Sequence, residues 1–144
     1  MSEVFRIYLA GPVKYESDNG DTWRQQAVKF IKQAAEDYDC NVKVINPNDH
    51  FSYDENNAQS DRQVKQFYMD QILHSRLVLV SLDGTNTSPG TSAELQFAED
   101  HKIQIIGFET GREVYNWCKA SCQYTCPSLL GAISYICEHY LKEQ

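Results

Sequence analysis

The chain has 144 residues, 42% hydrophobic and 12% aromatic, which is enough for one domain, residues 1–144, with its own core. No stretch approaches the roughly 18 apolar residues of a membrane span, and Met1 to Arg6 lack a basic-then-apolar export signal. Twenty acidic against 13 basic residues give a formal charge of −7 without a Lys/Arg cluster. That argues against a nucleic acid polymer as partner but leaves room for a small anion in a local pocket.

In chain order, residues 4–10 (VFRIYLA) predict a strand stopped by Gly11-Pro12. After a polar loop, Trp23, Ala27, Phe30, Ile31, Ala34, Ala35 and Tyr38 step by three and four, an amphipathic helix capped by Asp21 or Thr22. Residues 41–46 (NVKVIN) predict a second strand, closed by Pro47, and residues 47–60 a long aperiodic loop of the kind that is usually functional or mobile. Helical spacing returns over 61–75 with Val64, Phe67, Tyr68 and Ile72. Residues 77–82 (LVLVSL) are almost continuously apolar, as befits a central parallel strand buried on both faces. A turn at 83–89 leads to a helix beginning near Gly90-Thr91, and residues 103–108 (IQIIGF) predict a fourth strand. From Gly111 onward the pattern is helical, with a closing helix over 129–141.

Strands alternating with helices imply a parallel sheet covered on both faces. Ligands in such sheets bind beyond the strand C-termini where strand order reverses. If the first and third strands are neighbours, residues 8–12 and 83–94 converge there.

Five cysteines, Cys40, Cys118, Cys122, Cys126 and Cys137, form an odd set without an export signal. They suit reduced cytoplasmic thiols better than disulfides. Cys118, Cys122 and Cys126 recur every four residues and would share a helical face, but the spacing is not that of a typical zinc site. No metal or cofactor is expected.

The segment richest in chemistry is Ser88-Pro89-Gly90-Thr91-Ser92-Ala93-Glu94. Thr91-x-x-Glu94 fits a capping box. It also follows a buried strand at the expected crevice, where a loop entering a helix presents N–H groups to an anion. A carboxylate in a first helical turn is kept ionised by the dipole and can attack a cation-like carbon such as a sugar's anomeric centre. At Gly11 the backbone can approach a ligand and Pro12 stiffens the exit; the same pair also fits a plain strand end. Trp23 belongs to the core stripe, whereas Arg24, one step round, either binds an anion or is solvated.

IYLAGP at 7–12, TWR at 22–24, NP at 46–47, HSRLVLVSLDG at 74–84 and SPGTSAEL at 88–95 together resemble the nucleoside 2-deoxyribosyltransferase family, in the family's order. The resemblance includes the related nucleoside 5′-monophosphate N-glycosidases and covers roughly residues 4–108. It implies a flavodoxin-like three-layer α/β/α fold with a central parallel sheet of four to five strands. It further implies cleavage of the N-glycosidic bond of a nucleoside or nucleoside 5′-monophosphate.

By this resemblance Glu94 is the nucleophile that holds the sugar and Tyr8 orients it. Transfer goes to a free base; the hydrolytic branch uses water. The site set comprises Gly11, Pro12, Lys14, Arg24, Asp83, Ser88, Gly90 and Asn116 for substrate. Ser88 stands where transferases often carry an Asp, which tilts the ligand toward a nucleotide, because a hydroxyl can donate to phosphate. The family's Asp in the helix before the third strand has no counterpart in register, where Tyr68 stands. Asp70, the nearest carboxylate, is the catalytic candidate for delivering a proton to the leaving base, although two residues turn about 200° on a helix. The family also implies a homodimer or higher homo-oligomer, in which residues 115–117, including Asn116, complete a neighbour's pocket or simply pack. A non-catalytic nucleotide-binding or sensing domain is the competing class.

Overall fold

The computed structural model describes residues 3–13, 20–49 and 61–142. Five strands, β1 (Phe5–Ala10), β2 (Val42–Ile45), β3 (Leu77–Ser81), β4 (Gln104–Phe108) and β5 (Tyr124–Cys126), form one sheet in the order β2-β1-β3-β4-β5. Every neighbouring pair is parallel. This is the flavodoxin-like doubly wound order. The helices are α1 (Asp21–Asp37), α2 (Asp61–Leu73), α3 (Pro89–Asp100), α4 (Asn116–Ala120) and α5 (Leu129–Ile136), the last continuing into a π-helical turn, Cys137–Leu141.

The period of two along the strands sorts side chains into two cores. Phe5, Ile7, Leu9, Leu77, Leu79 and Ile106 face Ala27 and Ile31 of α1 and Ala132, Ile133 and Ile136 of α5. Tyr8, Ala10, Val78, Val80 and Ile105 face Ile72 of α2 and Leu95 and Ala98 of α3. Leu77 through Val80 are wholly buried, which explains why β3 reads as an unbroken apolar run. Each such side chain contributes roughly 1.5–3 kcal/mol by leaving water. Tyr8 pairs with Val78 and Ala10 with Val80, so the chain leaves β1 and β3 side by side. After β1 it turns to the α1 layer and after β3 to the α3 layer. That divergence opens the crevice expected for residues 8–12 and 83–94.

Four expectations are corrected. The buried stripe of α1 keeps the expected Ala27, Ile31 and Ala35 but adds Arg24. Trp23 is only partly buried, Phe30 and Tyr38 are 37% exposed, and the N-cap is Gly20 at φ 73° rather than Asp21 or Thr22. The region after Gly111 is not continuously helical. β5 completes the sheet beside β4, with Gln123 N–H donating to the Ile105 carbonyl (2.8 Å) and Glu109 N–H to that of Cys126 (3.0 Å). Backbone groups that β4 would otherwise leave unpaired outweigh the helical spacing. Cys118 therefore lies on α4, Cys122 beyond it and Cys126 on a strand, and the three share no helical face.

All five cysteines are free thiols. Among the described residues no three His, Cys, Asp or Glu side chains are grouped to hold a metal, and no helix is long and apolar enough to cross a membrane. The 47–60 loop opens with a 3-10 turn, Pro47–Asp49. Its remainder, and Lys14, lie outside the described residues.

Candidate active site

α3 begins one residue earlier than its composition suggests. Ser88 is the N-cap and Pro89 occupies the first turn, where a missing N–H costs nothing. The Ser88 hydroxyl pairs with that of Thr91 at 2.7 Å instead of capping the backbone. Thr91 and Glu94 thus form no capping box, and Glu94 stands in the second turn of α3.

There the Tyr8 hydroxyl donates to Glu94 Oε2 at 2.5 Å. Tyr8 is wholly buried and points to the α3 side of the sheet because of its place in the β1 alternation. The helix dipole, which fades beyond the first turn, does not set the ionisation of Glu94. Burial does, and it pushes the pKa up to about 7; the Tyr8 hydrogen bond and the positive charge of Arg24 act against that rise. The carboxyl is therefore poised near neutrality rather than held ionised.

Glu94 lines a cavity of about 840 Å³, within the size range of small-molecule sites. Gly11, Pro12 and Val13 form one wall, Thr87 to Thr91 and Ala93 a second, and Asp61, Val64, Lys65, Tyr68 and Met69 of α2 the third. Of the expected site residues, Glu94, Gly11, Pro12, Ser88 and Gly90 share this cavity and Tyr8 lies directly beneath it. Gly11 is needed as glycine: its φ is 149°, and a Cβ would sit 3.2 Å from both the Ser81 Cβ and carbonyl oxygen.

Other expected residues are elsewhere. Arg24 is neither solvated nor among the cavity-lining residues; it is buried, with Nη2 donating to the Gly11 carbonyl at 2.9 Å. Asp83 is also a scaffold group. Its carboxylate accepts from Thr110 N–H (3.0 and 3.2 Å), the Thr110 hydroxyl (2.6 Å) and Arg112 N–H (3.2 Å). It thereby ties the segment after β4 to the turn after β3.

Asp70 is on the solvent side of α2, 3.5 Å from His74, and does not line the cavity. The 200° offset from Tyr68 accounts for this. Asn116 is exposed at the start of α4 and also lies off this cavity. The α2 residues Asp61, Val64, Lys65 and Met69 were not foreseen. Their spacing of 61, 64, 65, 68 and 69 is the signal: one helical face, hidden by its mixed polarity.

Fold and site together define a flavodoxin-like α/β domain with a phenol–carboxyl pair beneath a cavity at the switch point of its sheet. The chain belongs to the nucleoside 2-deoxyribosyltransferase family, whose pattern matches residues 7–127. No curated protein matches it in sequence. Among solved structures it is similar to a conserved protein from Enterococcus faecalis V583, with TM-score 0.75, 15% identity, and 94% of this chain and 99% of that one covered. It is also similar to the 2-desoxiribosyltransferase from Leishmania mexicana, with TM-score 0.68, 19% identity, and 95% and 99% covered. For the CMP N-glycosidase BcmB of Clostridium botulinum the values are 0.53, 15%, 91% and 97%.

Proposed function

We propose that this protein cleaves the N-glycosidic bond of a (deoxy)nucleoside or nucleoside 5′-monophosphate through a covalent glycosyl-Glu94 intermediate, and transfers the sugar to another base. The observation that carries this reading is the Glu94 carboxyl, held by Tyr8 at a cavity of about 840 Å³. With Oε2 engaged by Tyr8, Oε1 attacks C1′. A C–O bond forms, the C–N bond breaks, and its electron pair leaves with the base, which takes up a proton. Asp61 and Lys65 are the charged groups that α2 brings to the cavity, so they are available to meet that base. A nitrogen of the second base then attacks C1′, loses a proton, and releases Glu94 as carboxylate.

Water in place of the second base gives a nucleoside 5′-monophosphate N-glycosidase. Ser88 and Gly90 favour a phosphate-bearing substrate, since they bring a hydroxyl and the N-terminal end of α3 to the cavity. In either form the enzyme works without a cofactor, in cytoplasmic nucleotide salvage, as a homo-oligomer. Trp117, 75% exposed beside Asn116, is the feature that supports a neighbouring copy.

Each common deoxynucleoside and its 5′-monophosphate is incubated with the protein, with and without a second base, and base release and exchange are followed by chromatography. Exchange without release supports transfer, and release from monophosphates alone supports hydrolysis. An intact-mass increase equal to one sugar, absent in Glu94→Ala, tests the intermediate. If nothing turns over, the protein is a binding domain on this scaffold.

A further inference from the structure

Arg24 is the one charged side chain in the buried stripe of α1. Removing a guanidinium from water is costly unless its donors are satisfied. Nη2 donates to the Gly11 carbonyl at 2.9 Å, Nη1 to the Gly20 carbonyl at 3.4 Å, and the guanidinium lies 4.8 Å from the Trp23 ring centre. Gly11 opens the connection from β1 to α1 and Gly20 closes it, so one side chain ties both ends together. Gly20 sits at φ 73°, a conformation that favours glycine, and a Cβ there would press on Arg24 Nη1. Gly11 begins the cavity wall, and three residues earlier on the same strand Tyr8 holds Glu94.

We infer that Arg24 is a positioning residue of this site: from behind the Gly11–Pro12 wall it ties the two ends of the β1–α1 connection together and sets a buried positive charge behind the cavity that Glu94 lines. The inference rests on Glu94 being the nucleophile. It agrees with the opposition of Arg24 to the burial-driven rise of the Glu94 pKa. Around Glu94 the ionisable groups among the described residues are Tyr8 on β1, Arg24 on α1, and Asp61, Lys65 and Tyr68 on α2. Lys65 is exposed, whereas Arg24 is buried, so Arg24 acts with far less screening. Lysine would keep the charge but not the fork that spans two carbonyls.

The test is a titration of Glu94 by NMR on protein carrying 13C-labelled glutamate, the resonance assigned by its loss in Glu94→Gln. In Arg24→Met the midpoint should rise by about one pH unit, and in Arg24→Lys it should stay near that of the wild type. Turnover by Arg24→Met should fall about tenfold at pH 6, and by much less at pH 8, with KM nearly unchanged. Should Arg24→Met fail to fold, Arg24→Gln supplies the neutral variant. An unmoved midpoint in a folded neutral variant overturns the inference. So does a loss expressed mainly in KM, which would make Arg24 a substrate contact. The titration needs no turnover, so an inactive wild type would defeat the glycosyl-transfer reading separately.

Discussion

The phenol of Tyr8 and the carboxyl of Glu94 meet at 2.5 Å across 86 positions of sequence. The contact exists because β1 and β3 are direct neighbours and α3 leaves β3 on the face toward which Tyr8 points. Tyr8→Phe keeps the ring packing and removes only the donor. We expect its acid limb of kcat to move to higher pH, turnover at pH 7 to fall roughly 10- to 100-fold, and stability to change by about 1 kcal/mol. A kcat–pH profile identical to that of the wild type would show that the bond is idle in catalysis.

The raised pKa of Glu94 has a sign that stability measurements can read. Its folded value of about 7 lies above the ordinary 4.5. Between those pH values the folded state keeps a proton that the unfolded chain has released. Stability therefore declines as pH rises from about 4.5 to 7, and the penalty is complete above 7, at most about 3 kcal/mol. Glu94→Gln has no such penalty. Its thermal midpoint should match the wild type near pH 4.5 and exceed it by several degrees at pH 8, while base exchange is lost. A difference that does not grow with pH would contradict the burial argument.

Asp83→Ala separates scaffold from substrate binding. The substitution leaves Thr110 and Arg112 N–H groups without their acceptor, at a cost of about 2–3 kcal/mol. Calorimetry should show that loss, and KM should remain within about twofold because Asp83 does not line the cavity. A large KM effect with unchanged stability would reverse the assignment.

Asp70→Ala should be nearly silent. The side chain is 60% exposed and its pairing with His74 is a surface contact worth less than about 1 kcal/mol. Turnover within twofold of the wild type is expected. A hundredfold drop would mean that Asp70 reaches the leaving base after all.

Much of this arrangement is legible from residue order alone. The apolar runs at 77–82 and 103–108 and the alternation around Tyr8 suffice for a parallel sheet, and the crevice rule then selects Glu94. What misleads is polarity read one residue at a time. Arg24 looks like a surface group because its burial depends on two backbone carbonyls that only the folded chain brings to it. Asp83 looks like a binding carboxylate because its partners lie 27 and 29 positions away. The spacing of Cys118, Cys122 and Cys126 imitates a helix, but the open side of β4 draws the last of them into a strand. Conversely, the α2 wall mixes charged and apolar residues, so no hydrophobic pattern marks it.

The lateral margins of the sheet have a consequence for how copies of this chain can meet. β2 spans four residues and carries the exposed Lys43, and β5 spans only three. Such short borders offer a foreign strand few backbone groups to copy. Continuation of the sheet from one copy into another is thus disfavoured at both borders.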